Sequence, residues 1–103
     1  MSKIFVYGSL MKNWPYNQYY MQGQAFLGNA RIKGFKKYIF GGLHGIYPEP
    51  GAETPGEVYE IDARVLAKLD FLHNQGTVYS RKMVEVRLDN GETIAAETYI
   101  WNG

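Results

Sequence analysis

The sequence predicts an α+β fold: a small β-barrel flanked by helices, in a single domain spanning 1–103. Three observations predict it. Apolar and β-branched runs recur as short strands along most of the chain; a strong amphipathic helical pattern occurs in one segment only; and that one helix is too small to cover every strand. A sheet that cannot be covered must curl on itself.

Each element follows in order. Lys3 to Tyr7 (K-I-F-V-Y) is β-branched and aromatic, ends at Gly8, and reads as a buried strand. Asn13 to Gln24 is polar-aromatic and suits a short helix with Pro15 in its first turn. Ala25 to Phe40 reads as two strands broken at Gly34. Gly41 to Gly56 is so rich in glycine and proline that it is expected to be loop. Gly56 to Ile61 (G-E-V-Y-E-I) returns to a strand, with Glu57, Tyr59 and Ile61 on one face and Val58 and Glu60 on the other. Asp62 is placed to cap a helix whose buried stripe is Val65, Leu66, Leu69 and Leu72.

Tyr79 to Leu88 and Glu92 to Trp101 form a hairpin around Asp89-Asn90-Gly91. Its register can be argued from the side chains. A turn with Gly91 at the left-handed bulge position pairs Val86 with Ile94 and Val84 with Ala96, matching apolar to apolar. Tyr79, Arg81, Met83 and Glu85 then share a polar-aromatic face with Glu97, Tyr99 and Trp101, a candidate pocket wall.

Composition narrows the function. The formal net charge is +1, which argues against a nucleic-acid partner bound by phosphate neutralisation. There is no cysteine, so disulfides, thiol catalysis and cysteine-based zinc sites are excluded. The N-terminal apolar run is too short for a secretory signal or a membrane span, so a soluble, cytoplasmic monomer acting on a small molecule is expected, with no membrane partner. His44 has no second ligand at metal spacing, so no metal is expected. Trp14, Tyr16, Tyr19 and Tyr20, with Lys12, could stack bases, but the neutral charge favours core or pocket packing.

The chemistry concentrates at Tyr7-Gly8-Ser9-Leu10. A strand ending there exposes main-chain N–H groups at its C-terminal edge, and such groups can cradle a carboxylate or a developing oxyanion. A strand end with a tight turn is the plainer reading of the same four residues.

Taken together, several motifs resemble the γ-glutamylcyclotransferase-like proteins, the AIG2-like and γ-glutamylamine cyclotransferases among them. They are F-V-Y-G-S-L at 5–10, the Gly-rich stretch with Tyr47-Pro48, G-E-V-Y-E-I at 56–61, and Leu69-Asp70. The Tyr79-x-Arg81 strand, the Asp-Asn-Gly hairpin and Tyr99-Ile100-Trp101 extend the resemblance over essentially the whole chain.

The resemblance implies a small mixed barrel with a cavity in which a γ-glutamyl group folds back. The substrate's α-amine attacks its own γ-carbonyl, releasing 5-oxoproline and an amine or amino acid, with no cofactor. Tyr7, Gly8, Ser9 and Leu10 would bind the α-carboxylate. The family's acid/base is a Glu in a pattern like L-D-x-x-E, whereas this chain reads Leu69-Asp70-Phe71-Leu72-His73. No other carboxylate lies between Asp70 and Glu85.

His73 therefore has three readings: the acid/base itself, an ordinary exposed residue at a helix C-terminus, or the mark of a protein that binds a small acidic ligand without turning it over. Glu57 is the other candidate proton carrier, unless it is simply ion-paired, for instance with Arg81. Arg81 and Tyr79 are candidates for substrate binding, Arg81 as a bidentate clamp or as a stacking partner of Tyr99.

Overall fold

The computed structural model describes residues 1–103. In chain order its elements are β1 (Ser2–Val6), α1 (Pro15–Tyr20), β2 (Ala25–Phe40), β3 (Leu43–Ile61), α2 (Ala63–Leu72), β4 (Tyr79–Leu88) and β5 (Thr93–Trp101). The strands close a barrel in the order β1-β3-β2-β4-β5. Closure is made by a parallel contact between β1 and β5 at Ile4 and Glu97, and the other pairs are antiparallel. The barrel is therefore mixed, and closure removes the open edges that a five-stranded sheet would otherwise present, except where β3 extends past β1.

Alternation along the strands sorts residues into two layers. Phe5, Ala30, Ile32, Ile46, Val58, Val86 and Ala96 fill the barrel interior. Ile4, Val6, Tyr59, Ile61, Tyr79 and Tyr99 face outward, and together with Leu69 of α2, Met21 and Leu10 they form a second core between barrel and helices. The β4–β5 hairpin has the expected register, Val86 opposite Ile94 and Val84 opposite Ala96. That register sends Tyr79 and Tyr99 to the outer layer.

Of the segment expected to be loop, 41–56, only Gly41 and Gly42 form a turn, and from Leu43 it is instead part of a long strand. β2 and β3 run as one ribbon from the Ala25–Glu60 pair to Phe40–Leu43 at its tip. The prolines do not break it because β1 pairs with β3 only over 57–61. Residues 43–55 therefore form an edge, where a missing N–H costs no ladder bond. Similarly, Gly34 does not divide β2. It sits at φ 84°, where the register shifts between Lys33 and Phe35, and acts as a bulge. Gly56 marks the crossing into the barrel, since a Cβ there would strike the Val6 carbonyl and the Phe5 ring.

The helices differ in how they are held. Asp62 caps α2, its Oδ1 accepting from the Val65 N–H at 2.8 Å. Leu69 is fully buried, and Val65, Leu66 and Leu72 pack beside it. By contrast α1 is shorter than expected, lacks a side-chain cap and buries no residue. Of the aromatic group expected to pack into core or pocket, Tyr20 packs against the outer core, Tyr16 borders a pocket and Trp14 meets His44, both half exposed, while Tyr19 stays exposed, which corrects the expectation for that residue. No helix is long and apolar enough to cross a membrane.

Candidate functional site

A cavity of about 160 Å³ opens where β1 ends. Its wall is built from Phe5 to Leu10, from Tyr16 of α1, from Gly42 to His44 at the start of β3, from Leu72 and His73 at the end of α2, and from Tyr79 and Tyr99. Pockets for drug-sized ligands run to about 300–1,000 Å³, so this one suits a ligand of a few carbons. No Asp, Glu, Lys or Arg lines it. The titratable groups on its wall are tyrosines and two imidazoles.

The turn after β1 supplies the polar floor. Met11 N–H donates to the Gly8 carbonyl at 3.0 Å, closing a tight turn. The N–H groups of Gly8, Ser9 and Leu10 donate to no group of the chain, nor does the Ser9 hydroxyl. Three neighbouring free donors in a concave corner are what a carboxylate or oxyanion requires.

The turn is fixed from behind. The Asn17 amide donates to the Leu10 carbonyl at 2.7 Å and to the Tyr59 hydroxyl at 2.9 Å. Tyr59 and the Lys12 N–H both donate to Glu57 Oε1, at 3.1 and 2.9 Å.

Glu57 is thus placed differently from the sequence expectation. It is buried and its face turns toward the helices, but it does not line the cavity and has no ion pair with Arg81. Its carboxylate is occupied in holding the turn. The alternation argument located its face correctly; what it could not see was the Lys12 amide arriving across 45 residues.

Arg81 is also outside the wall. Its guanidinium pairs with Asp70 and, at 3.2 Å through Nε, with Glu97. It is therefore committed within the protein and not free to clamp a ligand carboxylate. Tyr79 does line the cavity, its hydroxyl donating to the His44 carbonyl.

His73 is the C-cap of α2, but it is not exposed as a plain helix end would be. Its ring lies flat on Tyr99, with centroids 3.8 Å apart and an interplanar angle of 1°. Tyr79 meets the ring edge-on at 5.2 Å. Nδ1 lies 2.7 Å from the Leu69 carbonyl, so the hydrogen bond requires the proton on that nitrogen. Nε2 has no partner in the chain and is not sealed from solvent.

Burial pushes the His73 pKa below its ordinary value, only partly opposed by the Leu69 carbonyl and the Asp70 charge. Asp70 secures the stack from below, accepting from the Tyr99 hydroxyl at 2.7 Å and from Arg81. Burial, followed by the bond to Asp70, pushes the Tyr99 phenol well up, so it remains a neutral donor. The result is an imidazole in a defined tautomer, uncharged at neutral pH, with a free lone pair at the cavity.

Sequence reasoning assigned no functional role to His44. It lies in the segment read as loop, and only its lack of metal partners was legible. In the fold it packs on Gly8, where a Cβ would come within 2.5 Å of His44 Nδ1. That contact, together with the turn, accounts for a glycine at position 8.

Known proteins share this sequence pattern and this fold. The sequence profile described as "Gamma-glutamyl cyclotransferase, AIG2-like" matches residues 4–103. The chain is similar to an Escherichia coli K12 protein named gamma-glutamylcyclotransferase family protein YtfP, with 37% identity over 83 residues, 81% of this chain and 72% of that one. It is 31% identical over 98 residues to a Bos taurus gamma-glutamylaminecyclotransferase, covering 86% of this chain and 58% of that protein. Among solved structures, a Mus musculus AIG2-like protein superposes with a TM-score of 0.88 at 25% identity, covering 99% of this chain and 78% of that one.

Proposed function

The chain belongs to the gamma-glutamyl cyclotransferase, AIG2-like family, and we propose that it cyclises a γ-glutamyl amine or peptide to 5-oxoproline with His73 carrying the proton. The observation that carries this reading is the His73 imidazole: its Nδ1–H is tied to the Leu69 carbonyl, leaving Nε2 unpartnered on the wall of a cavity floored by free amides.

The chemistry follows from those parts. The substrate's α-carboxylate docks on the N–H groups of Gly8, Ser9 and Leu10, with the Ser9 hydroxyl at hand. Anchoring that end in a small cavity favours the folded-back conformer, in which the α-amine lies near the γ-carbonyl carbon. Holding this near-attack geometry supplies much of the rate. The neutral α-amine attacks, forming the ring C–N bond, and His73 Nε2 takes its proton. The imidazolium returns that proton to the leaving nitrogen as the original C–N bond breaks. The products are 5-oxoproline and a free amine, with atoms and charge balanced and no cofactor called for.

In this reading Glu57 is a positioning residue that holds the turn through Lys12. Tyr16 and Leu43, both about half exposed, form the rim over which the leaving amine extends. A bovine relative carries the name gamma-glutamylaminecyclotransferase, which supports a γ-glutamyl amine as the first substrate to try.

A second reading, a protein that binds a γ-glutamyl-like ligand without turnover, is favoured by one observation: no carboxylate lines the cavity. The purified protein is offered a panel of γ-glutamyl amines and peptides, and 5-oxoproline is quantified. Release above the uncatalysed rate with at least one substrate is expected. Binding of panel members with no release from any of them selects the second reading.

A further inference from the structure

The cavity wall holds a second imidazole besides His73. His44 lines the cavity, its ring meets Trp14 edge-on at 5.5 Å, and its carbonyl accepts from the Tyr79 hydroxyl. Tyr79 thus touches both histidines, one through a hydrogen bond and one through its ring.

The two nitrogens of His44 have different surroundings. Nδ1 is buried without a partner, pressed against Gly8 where there is no space even for an added methyl group. A proton on Nδ1 would be an N–H removed from water and given no acceptor, the most unfavourable state for a buried donor. Nε2 has no partner in the chain either, but it is not sealed from solvent. The proton therefore belongs on Nε2. His73 is the reverse case, with Nδ1–H bonded to a carbonyl and a lone pair on Nε2. One wall thus presents an imidazole acceptor and an imidazole donor.

We infer that His44 donates a hydrogen bond from Nε2–H to the γ-carbonyl oxygen of the substrate, stabilising the negative charge that builds there as the α-amine attacks. The inference rests on the cyclotransferase reading and adds to it the oxyanion partner of the reaction. The floor amides of residues 8–10 are occupied by the α-carboxylate, so the γ-oxygen needs a donor from elsewhere. No lysine or arginine lines the cavity to provide one. Such a donor strengthens in the transition state and so acts on kcat.

The tautomers are read directly in the free protein by long-range 1H–15N NMR of the two histidines, assigned with single His44→Gln and His73→Gln variants. Opposite tautomers above pH 7 are expected; a proton on His44 Nδ1 overturns the inference. In kinetics, His44→Phe is expected to lower kcat about 10²–10³-fold, the usual effect of removing an oxyanion donor, with little change in KM. His44→Gln, whose amide nitrogen reaches the position of Nε2, is expected to restore most of that loss. Equal kcat in wild type and His44→Phe overturns it.

If wild type releases no 5-oxoproline, the cyclotransferase reading fails by itself, and His44 is then judged by binding of 5-oxoproline. Binding at least tenfold weaker in His44→Phe and retained in His44→Gln supports the donor. Equal binding in all three proteins overturns it.

Discussion

The two apolar layers of this molecule are built from the same strands yet have opposite character. The barrel interior is closed and almost wholly hydrocarbon: Phe5, Ile32, Ile46, Val58 and Val86 are each at most 1% exposed. The outer layer is as well packed at Ile4, Ile61 and Leu69, but it changes toward the end of β1 into Tyr79, Tyr99, His73 and Asp70, with a void at its margin. A closed barrel of this size is filled by its own side chains and has no room for a ligand. The layer between barrel and helices is closed only where a helix lies over it. The candidate site lies at its unfinished edge, where strands position the groups and a cavity remains open.

If the two layers divide stability from function, substitutions should separate accordingly. The largest effect is expected inside the barrel. Ile32→Ala truncates a buried interior side chain that does not line the cavity and is expected to cost about 2–5 kcal/mol of unfolding free energy, measured by urea denaturation. A domain of this size has only about 5–15 kcal/mol to lose. A loss below about 1 kcal/mol would mean that the interior is loosely packed and that the contrast between layers is false.

At the cavity the expected loss is catalytic. His73→Gln should reduce 5-oxoproline release about 10²–10⁴-fold. It should leave the denaturation midpoint far less altered than Ile32→Ala does. A variant that unfolds without losing specific activity would place His73 with the structural residues. His73→Glu restores a proton carrier of the family's type and is expected to recover activity relative to His73→Gln.

The same residue predicts a pH dependence of defined sign. Burial lowers the folded pKa of His73, so the neutral, base-competent form persists to a lower pH than in a free imidazole. kcat/KM should therefore fall on the acid side with a midpoint below the ordinary value of about 6.5. In His73→Glu the limb should move into the carboxylate range. For stability, the unfolded chain takes up its proton first as pH falls. This contribution to stability is therefore full above about 6.5 and declines from there down to the folded pKa. An acid limb unchanged in His73→Glu would assign the titration to another group.

The smallest effect is expected farthest from both interiors. Asp62→Ala removes the α2 cap and should lower the denaturation midpoint by less than the interior substitution does. The bond from Val65 N–H holds the Asp62 pKa below the usual carboxylate value, so the cap's contribution is present above that ordinary value and lost as pH falls through the depressed one. Wild type and Asp62→Ala should accordingly converge in stability in strong acid. A difference that persists there would show that the substitution acts through something other than the charged cap.

Much of this was legible in the sequence where the controlling interaction is short-ranged. The strand into Tyr7–Leu10, the Asp62 cap, the Leu69 stripe and the Val86–Ile94 register each depend on residues a few positions apart or on period-two alternation. The family and the barrel were legible because ordered motifs extend along the whole chain. Of the residues singled out in the sequence, the turn, Tyr79 and His73 line the cavity; the partners of Glu57 and Arg81, and the place of His44, were not legible.

Those misses share a physical cause. Proline and glycine in 41–56 are genuine signals against a paired strand, and only the fact that 43–55 form an edge removes their cost. A charged side chain chooses its partner from whatever the closed barrel brings near, and for Glu57 this is a main-chain amide 45 residues away. Local chain physics therefore determined which elements form and where they begin and end. Barrel closure alone decided that His44 lies against Gly8, that His73 lies on Tyr99, and that the two imidazoles share one wall, because those contacts join segments with no relation along the chain.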